Sequence, residues 1–236
     1  MFKIRASQAY KIYSKKLKLE KTAKSYLIEW FAGDNEPIHS KYFAKGNTVE
    51  EECIQFCAEV LGYGILFKNE ETKEDEFFKG TADIVTTEYI IDVKSPWNQK
   101  TLHEHTLDPM PWMYYLQLQI YMHLYNRGKA ILFYGLMDTP IEIGYHETNF
   151  ESLPNEKRWF AYEIDFNPSI ICDLKDLVIE SRKFLTEHEN SLKSVLGKLN
   201  TYGIQEKNSH LESINNDPTS NNFISDLLWQ KLAKYQ

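Results

Sequence analysis

Apolar side chains recur at the three- and four-residue spacing of an amphipathic helix in four segments of the chain. The helices predicted from them lie at 21–33, where Thr22 can cap and Gly33 can end the helix, at 48–61 before Gly62 and Gly64, at 113–128 and at 173–199. Runs rich in Val, Ile, Phe and Tyr predict strands at about 64–69, 77–86, 89–95, 129–140 and 158–167. We expect loops at 35–47 and 96–112.

The order of these elements predicts the fold class. Helix, helix, three strands, helix, two strands and helix indicate one mixed α/β (α+β) domain over residues 1–200. We expect a central mixed sheet flanked by helices, with a basic helical segment at the N-terminus. The tail, 201–236, is predicted to contain a polar linker at 206–222 and a short helix at 223–235.

Composition indicates the compartment. No run of about 18 apolar residues is present, so we expect no membrane span. The first residues lack the apolar stretch of a signal peptide, and three cysteines are too few for a disulfide framework. A cytoplasmic protein is therefore expected.

Two aspartates and a lysine interrupt the strands predicted at 77–86 and 89–95. If these strands form a hairpin with its turn at Thr87 and Glu88, Asp83 faces Asp92 across the pair. Lys94, two residues beyond Asp92, shares their face because strand side chains alternate. The alternative is an exposed Asp92–Lys94 ion pair on an edge strand, with Asp83 in a turn.

Adjacent carboxylates repel each other, and a divalent cation removes that cost. Carboxylate oxygens are the ligands that Mg²⁺ prefers, and a nearby lysine can orient or deprotonate an attacking water. The spacing of these three residues therefore indicates a metal site, with the edge-strand ion pair as the alternative.

Two helices carry further candidates. One of Glu50, Glu51 and Glu52 can complete a carboxylate trio, although acids at a helix N-terminus are also favoured by the helix dipole. Gln117 and Tyr121 lie four residues apart, and therefore on one face of their helix. A glutamine among so many apolar neighbours needs hydrogen-bond partners.

The segments GNTVE, GTAD, DVK and QLQIY, in this order between about Gly46 and Tyr121, resemble the PD-(D/E)XK nuclease superfamily. They are most similar to phage exonucleases of the lambda-exonuclease and YqaJ-type recombinase kind, and to RecB-type nuclease domains. Two positions depart from the common motif: Ala82 replaces its proline, and Asp92 stands where many members have Glu.

The resemblance implies a restriction-endonuclease-like core and a set of site residues. The catalytic residues that it implies are Glu50, Asp83, Asp92, Lys94, Gln117 and Tyr121. Mg²⁺, with Mn²⁺ expected to substitute, would be held by Asp83, Asp92, the Val93 carbonyl and Glu50. Lys94 would position the attacking water, and Gln117 would hold Lys94 or the phosphate.

The function implied by the resemblance is a Mg²⁺-dependent DNA exonuclease in phage-type recombination or DNA end processing. A structure-specific or restriction-type endonuclease is the alternative within the enzyme class. A non-catalytic DNA-binding protein on the same fold is the alternative outside it. The expected substrate is linear duplex ends, in a bacterial host cell if the protein is phage-encoded. A ring-shaped homotrimer and a single-strand annealing partner are further implications.

Charge distribution suggests where DNA would bind. Residues 1–24 carry eight Lys or Arg and one Glu, although the whole chain has a net charge of −7. Such a basic segment can follow a phosphate backbone, or it can simply be a well-solvated helix. The residues predicted to contact DNA are Lys15, Lys16, Lys18, Ser95, Trp97 and Trp112. For the tryptophans, base stacking competes with core packing as the interpretation.

Two other sequence patterns bear on possible chemistry. His103 and His105 are two residues apart in a predicted loop, which does not match the spacing of helical zinc motifs. A loop near the DNA channel explains them better. The chain contains no P-loop motif, which argues against ATP hydrolysis.

Overall fold

The computed structural model describes residues 1–33 and 40–210, with side chains as far as residue 194. The strands are β1 (Ile4–Arg5), β2 (Lys73–Glu74), β3 (Phe78–Gly80), β4 (Ile84–Val85), β5 (Tyr89–Lys94), β6 (Lys129–Gly135) and β7 (Trp159–Asp165). The α-helices are α1 (Lys21–Ala32), α2 (Lys41–Thr48), α3 (Glu50–Leu61), α4 (Gln99–Leu107), α5 (Trp112–Tyr125), α6 (Ile141–Gly144) and α7 (Pro168–His210). Short 3₁₀ helices span Ala6–Lys11, Phe150–Ser152 and Asn155–Lys157.

The central sheet is mixed, as predicted. Its order is β4-β5-β6-β7, in which β5 and β6 run parallel and the two outer pairs are antiparallel. In the hairpin, Ile84 pairs with Ile91 and Val85 with Ile90, so the predicted register is confirmed. A second, three-stranded sheet has the order β1-β3-β2.

Helices cover both faces of the central sheet. Alternate residues of the inner strands divide the core into two clusters, because strand side chains point to opposite faces. Ile91 and Val93 join the cluster beneath α3, whereas Ile90 and Leu132 join the larger cluster beneath α5 and α7. Asp92 and Lys94 share the parity of Ile90, which places them on the α5 face.

The sheet differs from the prediction at two strands. Among the described residues, 64–69 form no strand: Ile65 and Phe67 are exposed and flank the buried Leu66. The segment predicted at 77–86 is divided between the two sheets as β3 and β4. Between them, the Asn69 side chain and backbone N–H donate to the carbonyls of Ala82 and Asp83, at 2.9 and 2.7 Å. The carbonyls of Ala82 and Asp83 therefore bond to Asn69 rather than to a neighbouring strand, which separates β3 from β4.

Both predicted loops contain helices, so the loop predictions were wrong over 41–47 and 99–107. Ser40 caps α2 by accepting from the Tyr42 N–H at 3.3 Å. Asn98 caps α4 by accepting from the Thr101 N–H at 3.0 Å. These two N-cap side chains were the local signals that the prediction did not use.

Several predicted helix ends shift by a few residues. Glu20 occupies the N-cap of α1, so Thr22 does not cap it, whereas Gly33 ends it at φ 74°. Asn126, rather than Gly128, provides the left-handed residue after α5, at φ 53°.

The tail is described in part. Residues 206–210 of the predicted linker continue α7 as far as His210. The rest of the linker and the helix predicted at 223–235 lie outside the described residues. The division into 1–200 and 201–236 stays a prediction. Within the described ranges, no helix is both long and apolar enough to cross a bilayer.

Candidate active site

The β4–β5 hairpin brings the predicted acids together. An Asp83 carboxylate oxygen, Oδ2, accepts a hydrogen bond from the Val93 N–H at 2.9 Å. Asp92 is fully buried, and its Oδ2 forms an ion pair with Lys94 Nζ. Lys94 Nζ also donates to the Val93 carbonyl at 3.3 Å. The pair is therefore not the exposed ion pair of the alternative interpretation.

Helix α5 supports Asp92 from above the sheet. Gln117 Nε2 donates to Asp92 Oδ1 at 3.1 Å and lies 3.0 Å from the Tyr121 hydroxyl, to which it also donates. Both side chains are buried, as their shared helix face requires. In this structure Gln117 therefore holds Asp92, rather than contacting Lys94 directly.

Tyr121 reaches Gln117 because the opposing strand lacks a side chain. A Cβ added at Gly80 would lie 2.6 Å from Tyr121 Cε1 and 3.2 Å from its Cδ1. Gly80 therefore lets the tyrosine ring pack against β3. The prediction included this glycine only as part of the GTAD segment.

Glu50 is the half-buried member of the three acids that begin α3. It begins α3 and forms an ion pair with Lys68, and its charge acts on Asp83. Glu51 and Glu52 are exposed. Lys68 was not identified from the sequence, because it lies in the segment that was predicted to be a strand.

Burial and neighbouring charges shift the pKa values of Asp83 and Lys94. Burial, and then the Asp92 charge, raises the pKa of Asp83 to about 7, although Lys94 and the Val93 N–H lower it. Burial lowers the pKa of Lys94, but Asp92 and Asp83 together hold it above its ordinary value. Lys94 therefore stays protonated at neutral pH.

The donor set fits a hard divalent cation. Asp83, Asp92 and the Val93 carbonyl offer oxygen atoms, and the mutual repulsion of the carboxylates falls when a cation binds. No group of three or more His, Cys, Asp and Glu that could hold a metal occurs among the described residues. The remaining ligands would be water or substrate, which is how proteins usually hold Mg²⁺. Glu50 pairs with Lys68 through one carboxylate oxygen, Oε2, and its contribution to a cation site stays a prediction.

The predicted DNA contacts lie in three places: before α1, at the start of α5, and in the segment directly after Lys94. Lys15, Lys16 and Lys18 are exposed in the turn before α1. Trp112 begins α5, is 43% exposed, and stacks on Tyr115 with ring centroids 4.9 Å apart. Their role in DNA binding stays a prediction.

Ser95 and Trp97 directly follow Lys94 in the chain. The Ser95 hydroxyl is buried and has no hydrogen-bond partner among the described residues. The Trp97 ring packs edge-on against Tyr42, at 5.2 Å between centroids, and the Lys41 ammonium lies 4.9 Å from its centre.

A buried lysine holds the segment that follows the site. Lys45, on α2, is fully buried, and its Nζ donates to the carbonyls of Pro96 at 2.8 Å and Trp97 at 3.4 Å. Burial lowers the pKa of Lys45 to about 8, although Asp138 and Cys53 raise it. Sequence reasoning missed this residue because it assigned α2 to a loop.

The two histidines of the 96–112 segment lie on α4. His103 is exposed, and the His105 ring stacks on Tyr134 with centroids 4.3 Å apart. Neither belongs to a metal-binding cluster within the part of the chain that the structure describes.

In EDTA at pH 8, Asp83→Asn is expected to raise the free energy of unfolding by roughly 1–4 kcal/mol, because it removes a buried charge. Because its pKa is raised to about 7, the Asp83 carboxyl of the folded wild type is charged at pH 8. The folded carboxyl binds its proton more tightly than the unfolded one, so wild-type stability falls as the pH rises from about 4 to about 7. The variant should lack that dependence, while its amide oxygen still accepts the Val93 N–H.

Urea unfolding between pH 4 and pH 8 measures this effect. Asp176→Asn, on the exposed face of α7, is the matched control and should unfold like the wild type at each pH. A less stable Asp83→Asn protein at pH 8 would contradict the proposed repulsion.

Comparison with known proteins agrees with the fold. No family model matches this chain, and no curated protein matches it. A phage-related exonuclease from Haemophilus somnus 129PT superposes with a TM-score of 0.67 at 26% identity, covering 81% of this chain and 96% of that one. An alkaline exonuclease from Laribacter hongkongensis superposes with a TM-score of 0.57 at 17% identity, covering 85% and 94%. The latter exonuclease has also been solved in complex with dAMP. The mixed α/β fold of this chain is thus that of phage-related and alkaline exonucleases, and its resemblance to the PD-(D/E)XK nucleases is confirmed.

Proposed function

We propose that this protein is a metal-dependent DNA exonuclease that hydrolyses phosphodiester bonds. The observation that carries the proposal is the buried Asp92, paired with Lys94 and set beside Asp83, within the fold of exonucleases. Such a costly arrangement of like charges is explained by a site that binds a cation and a phosphate.

The chain's own residues divide the work as follows. Asp83, Asp92 and the Val93 carbonyl would hold Mg²⁺, and Mn²⁺ is expected to substitute. When bound, the cation would supply an activated water and neutralise charge on the phosphate. Lys94, protonated because two carboxylates hold its pKa high, donates to the attacking water or to a phosphate oxygen.

Gln117 keeps the Asp92 carboxylate in position through a hydrogen bond of 3.1 Å. The Tyr121 hydroxyl accepts a second hydrogen bond from the same amide nitrogen, at 3.0 Å, so that both N–H groups of the Gln117 amide have a partner. Burial, and then the Asp92 charge, raises the pKa of Tyr121, so its hydroxyl stays protonated. These two residues are therefore assigned to positioning rather than to proton transfer.

Linear duplex ends are the proposed substrate. The structural neighbours are exonucleases, and the complex of one of them with dAMP supports nucleotide binding at such a fold. A role in phage-type recombination or end processing, in the cytoplasm, belongs to the same proposal. A ring-shaped homotrimer and an annealing partner stay predictions.

The test is degradation of linear and circular duplex DNA, each with Mg²⁺ or with EDTA. We expect loss of linear DNA alone, only with Mg²⁺, and no loss with Asp92→Ala. Asp176→Ala, an exposed acid on α7, is the matched control and should degrade DNA at the wild-type rate.

The other outcomes separate the alternatives. Nicking of circular DNA would support an endonuclease. Binding without cleavage of either substrate would support a non-catalytic DNA-binding protein. Full activity of Asp92→Ala would show that hydrolysis does not depend on this site.

A further inference from the structure

Lys68 places a second ammonium group beside the acids of the candidate site. Its Nζ forms an ion pair with Glu50 Oε2, and its side chain is 41% exposed. Lys94, the lysine that the sequence pointed to, pairs with Asp92 instead. Exposed ion pairs contribute little to stability, so stability alone does not explain why the chain holds Lys68 at this position.

The backbone that carries Lys68 is held on both sides, although it belongs to no strand among the described residues. Before it, Gln55 Nε2 of α3 donates to the Leu66 carbonyl at 2.9 Å. After it, the Asn69 N–H donates to the Asp83 carbonyl at 2.7 Å. The Asn69 nitrogen is covalently bonded to the Lys68 carbonyl carbon, so the Lys68 backbone lies directly beside Asp83.

The Lys68 ammonium can bind a ligand without leaving Glu50. An ammonium group has three N–H donors, and the hydrogen bond to Glu50 uses one of them. With 41% of the side chain exposed, the other donors are open to solvent. The hydrogen bond to Glu50 raises the pKa of Lys68, although burial lowers it, and the charges of Glu50 and Asp83 add to the rise. Lys68 therefore stays protonated at neutral pH.

The charges of the site favour a phosphate ligand once a divalent cation is bound. The site contains two ammonium groups, of Lys68 and Lys94, and three carboxylates, of Glu50, Asp83 and Asp92. In their charged forms these groups carry one net negative charge, which a divalent cation reverses to one net positive charge. A DNA phosphate carries one negative charge, so it would make the site neutral. Without Lys68, the same phosphate would leave the site with a net negative charge.

We propose that Lys68 is a further substrate-contacting residue, whose ammonium donates a hydrogen bond to a phosphate oxygen of DNA at the candidate cation site. This inference rests on the proposed function and adds to it a residue outside the acid–acid–lysine group. It explains why a segment without a strand partner is fastened to α3 and to Asp83: these hydrogen bonds keep its lysine beside the acids. The alternative is that Lys68 only neutralises Glu50.

Lys68→Gln, with Lys129→Gln as its matched control, tests the contact through duplex binding in EDTA. The Lys129 side chain is also 41% exposed and also pairs with a glutamate, but it lies beside Tyr89, at the other end of β5 from Lys94. In Lys68→Gln we expect affinity at about 0.1 M salt to fall about tenfold. The slope of log affinity against log salt should become shallower by about 1. Lys129→Gln should keep the wild-type affinity and slope, and Lys68→Arg should retain most of both.

The Glu50→Gln background separates a phosphate contact from neutralisation of Glu50. If Lys68 contacts a phosphate, Lys68→Gln should still weaken binding about tenfold in that background, because the contact does not need the acid. If Lys68→Gln then changes nothing, Lys68 acts only as a counter-ion and the contact is overturned. The Tm of each variant should stay close to that of the wild type, since exposed ion pairs contribute little.

Binding and cleavage are measured separately so that the two proposals can fail separately. If the wild type shows this dependence on Lys68 but cleaves no DNA with Mg²⁺, the phosphate contact stands and the nuclease proposal fails. If the wild type cleaves DNA, and Lys68→Gln binds and cleaves like it, the contact is overturned and the nuclease proposal stands. Equal losses of affinity in Lys68→Gln and Lys129→Gln, or no duplex binding by the wild type at low salt, would also overturn the contact.

Discussion

Lys94→Ala is expected to lower the DNA cleavage rate by about 10²–10³-fold, the range for loss of one positioned hydrogen-bond donor that stabilises developing charge. The variant removes the only cation that the described structure pairs with Asp92. Because Asp92 is fully buried, its charge is then left without a counter-ion. We therefore also expect the free energy of unfolding to fall by about 3 kcal/mol in EDTA. Cleavage kinetics and urea unfolding measure the two effects.

A double variant separates these two effects. Asp92→Asn in the Lys94→Ala background removes the unpaired charge, and should restore much of the stability without restoring cleavage. Lys129→Ala is the matched single control, since Lys129 pairs with Glu163 on the exposed surface of the same sheet. It should change neither cleavage nor unfolding appreciably, because exposed ion pairs contribute little. Wild-type cleavage by Lys94→Ala would remove this lysine from the mechanism.

Gly80→Ala is expected to destabilise the protein by about 1–3 kcal/mol, the usual cost of overpacking, and to reduce cleavage severely. The new methyl group would lie 2.6 Å from Tyr121 Cε1, a separation that real side chains do not adopt. The tyrosine ring must therefore move, and Gln117 loses the hydroxyl that it contacts at 3.0 Å. Since Gln117 also holds Asp92, the displacement reaches the proposed cation site.

Gly128→Ala is the control for the glycine substitution, because an added Cβ there meets nothing within 4 Å. Cleavage should be compared well below the Tm of each variant, so that unfolding does not contribute. Gly80→Ala should then show a lower rate and need a higher Mg²⁺ concentration for half-maximal cleavage, whereas Gly128→Ala should match the wild type. A Gly80→Ala protein that is folded and fully active would show that Tyr121 does not position Gln117.

The acidic hairpin and the Gln117–Tyr121 pair were predictable because both depend on short-range geometry. Alternation along two strands joined by a two-residue turn sets Asp83 beside Asp92 and Lys94, and the register of Ile84 with Ile91 confirms it. A spacing of four residues places Gln117 and Tyr121 on one helix face in any helix. Local spacing alone therefore located these residues.

The contacts that complete the site link residues far apart in the chain. Lys68 meets Glu50 across 18 residues, and Lys45 reaches the Pro96 carbonyl across 51. Nothing in the local pattern around either lysine indicates its partner. The strand predicted at 64–69 failed for a related reason. Ile65, Leu66 and Phe67 form an apolar run that is typical of a strand, yet no neighbouring strand pairs with it in the described structure.

The sequence by itself determined the order of the main elements, the acid–acid–lysine group and the resemblance to exonucleases, because each depends on residues close together along the backbone. Only the tertiary structure decided that Gln117 holds Asp92, that Gly80 makes room for Tyr121, and that Lys68 lies beside Glu50 and Asp83. Whether a buried polar group is satisfied, or a methyl group fits, depends on which distant surfaces pack together. That packing is a property of the whole fold, and no short stretch of sequence specifies it.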